Sequence, residues 1–264
     1  MFTIRAEILT LGRELLIGKT LNTNASWIAS RLTMLGISVE RVVVVPDTVC
    51  QISAAISDSL QRHPDAVVTT GGLGPTYDDL TADGLASALR LPKECNRVAL
   101  ERVEARYRSL GLEMTPARQK MAMMPPGSTP IPNEVGTAPG IYVEASGTMI
   151  FCLPGVPKEM THMFDSWVSR TIKEKSGGAS FLEDSLEVMG MPESSLAPVI
   201  EEWGPRLRSV YLKSHPSGGE ARPSIIVHFS IAGGDKVGMA REMKSAMNAF
   251  EKIVKRHGGR IRKV

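Results

Sequence analysis

Cysteine is scarce in this chain of 264 residues. Cys50, Cys95 and Cys152 are the three present, and they lie far apart. No pair has the spacing of a zinc knuckle or a CxxC redox site, and an odd, sparse count fits a reducing compartment rather than a disulfide scaffold. An uninterrupted apolar run of about 18 residues, the length a membrane helix needs, is also missing, so no membrane partner is expected. The opening stretch MFTIRAE lacks the charged-then-apolar pattern of a secretory signal, and the expected address is the cytoplasm. No sign of charge dominates: 31 Lys and Arg face 28 Asp and Glu. A net charge of +3 is too small to imply a nucleic-acid partner. Much of the excess sits at Lys252, Lys255, Arg256, Arg260, Arg262 and Lys263, which read as a solvated basic tail. The five histidines show no HExxH or paired-ligand spacing. Ser194 and Ser195 stand outside any GxSxG elbow. Repeats and low-complexity segments are absent.

What is present suits a globular α/β protein. Hydrophobic residues make up 42% of the chain, enough for a real core, and the length allows one large domain or two of ordinary size. Fourteen methionines are expected to fill gaps in that core. Residues 4–9 read as a strand, followed by a loop with Gly12 and Gly18. Next comes a helix capped by Asn24, with Trp27, Ile28 and Leu32 on one face, ending at Gly36. Residues 39–45 are nearly continuous and β-branched, as expected of a strand covered on both faces. Thr48 is positioned to cap a helix bearing Ile52, Ala55, Ile56 and Leu60, and residues 66–70 form a third strand. This alternation predicts a parallel sheet with right-handed crossovers. Helices are expected over 79–90 and 96–110. An ordered loop over 125–140 is followed by strands at 141–143 and 149–153 and a helix over 158–174. Ser176-Gly177-Gly178 is the expected boundary. Beyond it lie strands near 186–189, 210–213 and 225–231, with helices near 193–202 and 236–257. Gly218-Gly219 and Gly233-Gly234 read as hairpin turns.

In an open parallel sheet, ligands bind outside the carboxyl ends of the strands. Three loops leave strands at that edge, and each carries an acid: Glu14, Asp47, and the pair Asp78 and Asp79. The third loop is the most informative. Gly71, Gly72 and Gly74 allow positive φ and let backbone N–H groups approach a ligand, and a following helix adds its dipole, so the loop suits an anion. Yet bare carboxylates at the same place repel a phosphate. A divalent cation held by Asp47, Asp78 and Asp79 resolves the conflict by bridging carboxylate and phosphate oxygens. A glycine-rich turn alone is a weak signal, and Asp78 or Asp79 alone reads equally as a helix cap. The convergence of acids is what a packing explanation lacks. No Gly-Lys-Ser/Thr follows the loop, and Gly12 and Gly18 have the wrong spacing for a dinucleotide fingerprint, so ATPase and dehydrogenase readings are disfavoured. The segments 133–140 and 153–159, with Gly136, Thr137, Pro154 and Gly155, supply further backbone N–H groups at strand ends.

Taken together, GRELLIG (12–18), NTN (22–24), TGGLGPTYDDLT (70–81), VGTAPG (135–140) and LPGVPKEM (153–160) resemble the molybdopterin-binding fold of MogA and MoaB. More closely, they resemble the N-terminal region of the CinA competence/damage-inducible family. The resemblance spans residues 1–170 and continues more faintly into GMPES (190–194). It implies a three-layer MogA/MoaB-like α/β domain with a mostly parallel sheet over residues 1–175, and a small α+β domain of CinA type over 180–264. It also implies a metal-dependent nucleotide pyrophosphatase, using Mg²⁺, Mn²⁺ or Co²⁺, that acts on ADP-ribose or a related dinucleotide. Two other readings stay open: a molybdopterin-binding or adenylyl-transferring protein of molybdenum cofactor biosynthesis, and a nucleotide-binding module without chemistry. Asp47 and Asp79 match the aspartates regarded as functional in the MogA-like branch. Glu14 orients water, acts as general base, or is structural. Gly12, Asn24, Gly71, Gly72, Gly74, Thr76, Gly136, Thr137, Pro154 and Gly155 are the expected ligand contacts. The expected ligand is a nucleotide or pterin, and a homodimer is expected. Nothing resembles the amidase domain of longer CinA proteins, so nicotinamide mononucleotide deamidation is not expected. Arg13 departs from the small or acidic residue the pattern anticipates; its charge either contacts a phosphate or weakens metal binding.

Overall fold

The computed structural model describes residues 4–176, 180–204, 207, 209–217 and 224–264. The chain divides into two compact units, one of Ile4–Thr33 with Ile37–Ser176, the other chiefly of the chain beyond. The Gly177-Gly178 and Gly218-Gly219 pairs lie outside the described residues.

The first unit runs β1 (Ile4–Leu11), α1 (Arg13–Leu16), α2 (Thr23–Met34), β2 (Ile37–Val45), α3 (Val49–Gln61), β3 (Ala66–Thr70), α4 (Thr81–Leu89), β4 (Glu94–Cys95) and α5 (Arg97–Ser109). It continues through α6 (Pro116–Gln119), β5 (Met123–Met124), β6 (Thr129–Ile131), β7 (Gly140–Ala145), β8 (Thr148–Leu153), α7 (Pro157–Met163) and α8 (Ser169–Ser176). Its main sheet has the order β2-β1-β3-β8-β7-β6. The pairs β1–β2, β1–β3 and β3–β8 are parallel, whereas β7–β8 and β6–β7 are antiparallel.

Side chains alternate across the strands, so each face takes its own layer. Leu9, Leu11, Val67 and Ile150 join Ile52 and Ile56 of α3, Leu85 of α4 and Val103 of α5 in one buried cluster. The alternate residues Ile8, Val68 and Phe151 are buried as well. Ring contacts on that side join Trp27 of α2 to Phe164 (5.5 Å), and Phe151 to Trp167 (6.2 Å). Three layers result.

The crossover helix α3 is fixed at both ends. Thr48 accepts from the Gln51 N–H at 3.4 Å, as its sequence position predicts. Near the other end, Arg62 grips the buried Glu7 of β1 with two bonds of 2.7 Å, and the Ser59 hydroxyl donates a third at 2.7 Å. Burial alone would raise the Glu7 carboxyl, but the Arg62 and Ser59 bonds outweigh it and hold it below the usual carboxylate range.

Several expectations need correction. β2 is an edge strand hydrogen-bonded to β1 alone, with Glu40, Arg41 and Val42 exposed, so its valine run marks β propensity rather than double coverage. Asn22, not Asn24, caps α2, accepting from the Ala25 N–H at 3.2 Å. The 125–140 loop contains β6, and the helix predicted over 158–174 contains a π-helical turn at Phe164–Val168.

The second unit runs β9 (Ser180–Met189), α9 (Glu193–Trp203), β10 (Tyr211–Pro216), β11 (Ser224–Gly233), α10 (Lys236–Arg256) and β12 (Arg260–Lys263). This β-α-β-β-α-β succession makes an antiparallel sheet ordered β10-β11-β9-β12. One face is buried through Leu186, Val188, Val227, Phe229 and, from α10, Met243 and Phe250. The basic end is therefore not a loose tail: Arg260–Lys263 pairs with β9, and Arg262 Nε reaches Glu187 at 2.6 Å. Gly233-Gly234 joins a strand to a helix and is not a hairpin turn. Among the described residues, no helix is long and apolar enough to cross a membrane.

Candidate functional site

The four mutually parallel strands end level with one another. Leu11 of β1 pairs with Val45 of β2, Thr10 of β1 with Thr70 of β3, and Thr70 with Leu153 of β8. The segments that follow, beginning at Gly12, Pro46, Gly71 and Pro154, therefore leave from a single sheet edge. Between them opens a cleft of about 440 Å³. Gly12, Glu14, Asp47, Gly71, Gly72, Gly74, Thr76, Asp78, Asp79, Thr137, Pro154 and Gly155 all line it, so the structure gathers most of the residues singled out by sequence. Asn24 and Gly136 are not on its wall.

The glycine loop is held from behind. The Thr81 hydroxyl at the start of α4 donates to the Gly71 carbonyl at 2.7 Å, and the Thr81 N–H donates to the Gly72 carbonyl at 3.0 Å. Gly71 and Gly72 have φ of 112° and 64°, in the region that favours glycine. The Gly71 N–H does not face a ligand, because it donates to the Leu153 carbonyl at 2.9 Å. The cradle is thus narrower than the sequence predicts. The N–H groups of Gly72, Leu73 and Gly74 have no hydrogen-bond partner among the described residues.

Gly74 serves clearance instead. A Cβ there would lie 2.6 Å from Asp79 Oδ2. That oxygen accepts from the Thr76 N–H at 2.8 Å and the Thr76 hydroxyl at 2.6 Å, and the same hydroxyl contacts Asp78. Asp79 therefore closes its own loop rather than capping α4. The Thr76 hydroxyl chiefly, with a backbone N–H and the Lys120 charge, holds the Asp78 carboxyl below its usual range, so Asp78 is ionised at neutral pH. Lys120 Nζ donates to the Thr76 carbonyl at 2.6 Å. Across the cleft, Asp47 Oδ2 accepts from the Arg13 N–H at 2.8 Å, which ties the β1 and β2 loops together.

Glu159 was not foreseen, although it sits in the LPGVPKEM segment. It lines the cleft from α7, accepts from Asn133 Nδ2 at 2.6 Å, and packs so closely on Gly136 that a Cβ there would meet its carboxyl. Gly136 is thus a site of close approach beneath Glu159. Lys120 and Thr81 were missed too, since a residue acting from behind a loop leaves no mark in the loop's own motif.

The wall of the cleft has an unusual charge pattern. Glu14, Asp47, Asp78, Asp79 and Glu159 line it, and among the described residues no Lys, Arg or His does. Even so, no three His, Cys, Asp or Glu side chains among the described residues converge into a ready-made metal cage. The fit is to the other mode of binding, in which one or two carboxylates hold a divalent ion and the ligand's own phosphates complete its shell. The neighbouring Asp78 and Asp79 suit that mode.

A three-layer α/β unit with a mostly parallel sheet, and a glycine loop and acids at one sheet edge, is a domain of MogA/MoaB-like fold. The chain belongs to the family described as the probable molybdopterin binding domain, whose model matches residues 7–174. A protein of Pyrobaculum aerophilum is 45% identical over 97% of this chain and 96% of its own. One of Aeropyrum pernix is 45% identical over 97% and 96% respectively. Among solved structures, a CinA protein of unknown function from Thermoplasma acidophilum is 40% identical, with a TM-score of 0.59, and covers 65% of this chain and 97% of that one.

Proposed function

We propose that the cleft binds a phosphate-bearing nucleotide or pterin together with a divalent cation, and hydrolyses the pyrophosphate bond of a dinucleotide such as ADP-ribose. The observation that carries this reading is the pairing of opposite demands on one wall. Unspent N–H groups at Gly72, Leu73 and Gly74 call for an anion, while five acids with no basic residue among them call for a cation. A phosphate–metal complex meets both.

Asp78 and Asp79 are the residues to hold the ion, with Asp47 opposite. A bound Mg²⁺, Mn²⁺ or Co²⁺ supplies charge neutralisation and Lewis acidity at the phosphoryl oxygens. The glycine-loop N–H groups stabilise negative charge that grows on the phosphoryl group under attack. Water adds its oxygen to one phosphorus, its proton passes to a cleft carboxylate, and the P–O–P bond breaks to leave AMP and ribose 5-phosphate.

Incubation with ADP-ribose and each metal tests the reaction, with Asp79→Asn as control. AMP is expected from the native protein and only background from the variant; no AMP above that control overturns the hydrolase reading. The family description favours a second reading, in which the ligand is a molybdopterin and the chemistry is adenylyl transfer. That outcome would appear as ATP-dependent adenylation of the pterin with no turnover of ADP-ribose. Tight binding without any product would instead mark a module that carries or senses its ligand.

A further inference from the structure

A second cavity, of about 120 Å³, adjoins the cleft and shares Leu11, Glu14 and Gly155 with it. Its inner wall is made by Thr10, Thr70 and Asn24. Thr10 and Thr70 pair near the ends of two adjacent parallel strands and are 1% and 2% exposed. Buried polar groups at such a place need their hydrogen bonds counted.

On these three side chains the donors are spent. The Thr10 hydroxyl donates to the Val43 carbonyl at 3.3 Å and that of Thr70 to the Pro154 carbonyl at 2.8 Å. Asn24 Nδ2 uses both its hydrogens, on Thr70 Oγ1 at 3.1 Å and the Gly155 carbonyl at 2.8 Å. These two partners fix the orientation of the amide, because a carbonyl can accept only from the nitrogen side. Asn24 Oδ1 is left buried with no partner among the described residues. At the mouth, where cavity and cleft meet, the Glu14 carboxylate folds back over Gly12, and none of its oxygens is bonded to a described residue. A Cβ on residue 12 would lie 2.4 Å from Glu14 Oε1, so any larger residue there would push the carboxylate away from this position. Asn24 and Glu14 therefore present unused acceptors to the cavity. A buried acceptor without a donor costs stability that an incoming donor restores.

We infer that this cavity is the subsite for the non-phosphate end of the ligand, and that it selects a pair of adjacent hydrogen-bond donors received by Glu14. Two ligand groups share that chemistry: the vicinal hydroxyls of a ribose, and the N–H/NH₂ edge of a 2-amino-4-oxopyrimidine ring, as in guanine and pterins. The inference rests on the proposed reading of the neighbouring cleft as the phosphate site. It assigns Glu14 to recognition rather than to moving a proton.

Calorimetric titration of the full chain with Mn²⁺ and four ligands tests it. GDP and IDP differ by the ring amino group; ADP and 2′,3′-dideoxy-ADP differ by the vicinal hydroxyls. One pair is expected to differ by about 10-fold or more, the scale of a charge-assisted bond, and which pair does so identifies the donor source. Glu14→Gln replaces one acceptor oxygen by a donor on an exposed side chain, and should abolish that difference while leaving the thermal midpoint unchanged. Binding of all four ligands within about twofold of one another overturns the inference and leaves the cleft reading intact, as does a difference that survives Glu14→Gln. Binding of none overturns both. Uniform weakening of all four by Asp79→Asn checks the phosphate site independently.

Discussion

Gly74→Ala offers a sharp probe of the glycine loop. Its backbone does not need positive φ, so alanine is tolerated there except for what its Cβ meets. That neighbour is Asp79, with Oδ2 at 2.6 Å and Cγ at 3.1 Å. A short side chain pinned by two bonds from Thr76 has little room to yield. The methyl must therefore break those bonds or displace the loop. Losing two hydrogen bonds in a partly exposed site costs about 1–3 kcal/mol, the same range as overpacking by one methyl. The strain stays in a loop that opens locally, so the global midpoint should fall by less than about 4 °C. Ligand binding with Mn²⁺ should fall far more, by about 10- to 100-fold, the scale seen when a partner of a metal ligand is removed. Two comparators give the reasoning its edge. Asp79→Ala should match Gly74→Ala, because both undo the loop closure. Asp79→Asn keeps an oxygen for Thr76 and removes the charge, so it should lose binding with an unchanged midpoint. Native binding by Gly74→Ala in differential scanning fluorimetry and calorimetry would refute the assigned role of Asp79.

Three further outcomes follow from groups remote from the cleft or behind it. Arg62→Ala strands the buried Glu7 and should cost about 2–3 kcal/mol, at the low side for a broken buried pair because the Arg62 side chain is 35% exposed, visible as a fall in midpoint of about 4–10 °C. Because Glu7 is held below its ordinary value, its contribution is full above pH 4.5 and fades as acid protonates it; the native curve should drop there while that of Glu7→Gln stays flatter. Thr81→Val removes the donor at 2.7 Å from the Gly71 carbonyl and should cost about 1–2 kcal/mol in urea unfolding, with weakened ligand binding. An unchanged urea midpoint would mean that the loop is held by other contacts.

The fold was legible where pattern and chemistry coincide. The β-branched runs ending at Val45 and Thr70 and the cap at Thr48 specify elements with little help from distance in sequence. β2 shows the limit: a run of valines tells that a strand forms, not whether a neighbour covers it, since strand order is settled by packing across the whole sheet. The NTN segment shows another, because two asparagines can each cap a helix and the choice depends on Thr70 and Gly155, far along the chain. Arg260 and Arg262 read as a tail because charged residues hide strand alternation; both are exposed, as expected, yet they belong to the edge strand β12, where Arg262 meets Glu187. In the cleft, acids and glycines announced themselves through residue type. Glu159, Lys120 and Thr81 did not, because each acts by where the fold sets it.

On the proposed reading, metal and ligand depend on one another, and the geometry says why. Without a ligand, Asp78 and Asp79 share the hydroxyl of Thr76 and no third acid joins them, so the protein alone offers a divalent ion too few oxygens. Without an ion, a diphosphate would have to enter a wall of five acids with main-chain N–H groups and the Lys120 charge behind the loop in its favour. Repulsion of that kind is weakest in bulk water and grows as a cleft closes around its ligand. The two ligands together remove both penalties, and linkage requires that each raise the affinity of the other by the same factor. A cleft built this way leaves free metal largely unbound and discriminates against phosphate esters that arrive without one. The absence of lysine and arginine from its wall is then part of its selectivity, since a fixed positive charge would hold a bare phosphate in the place meant for the pair.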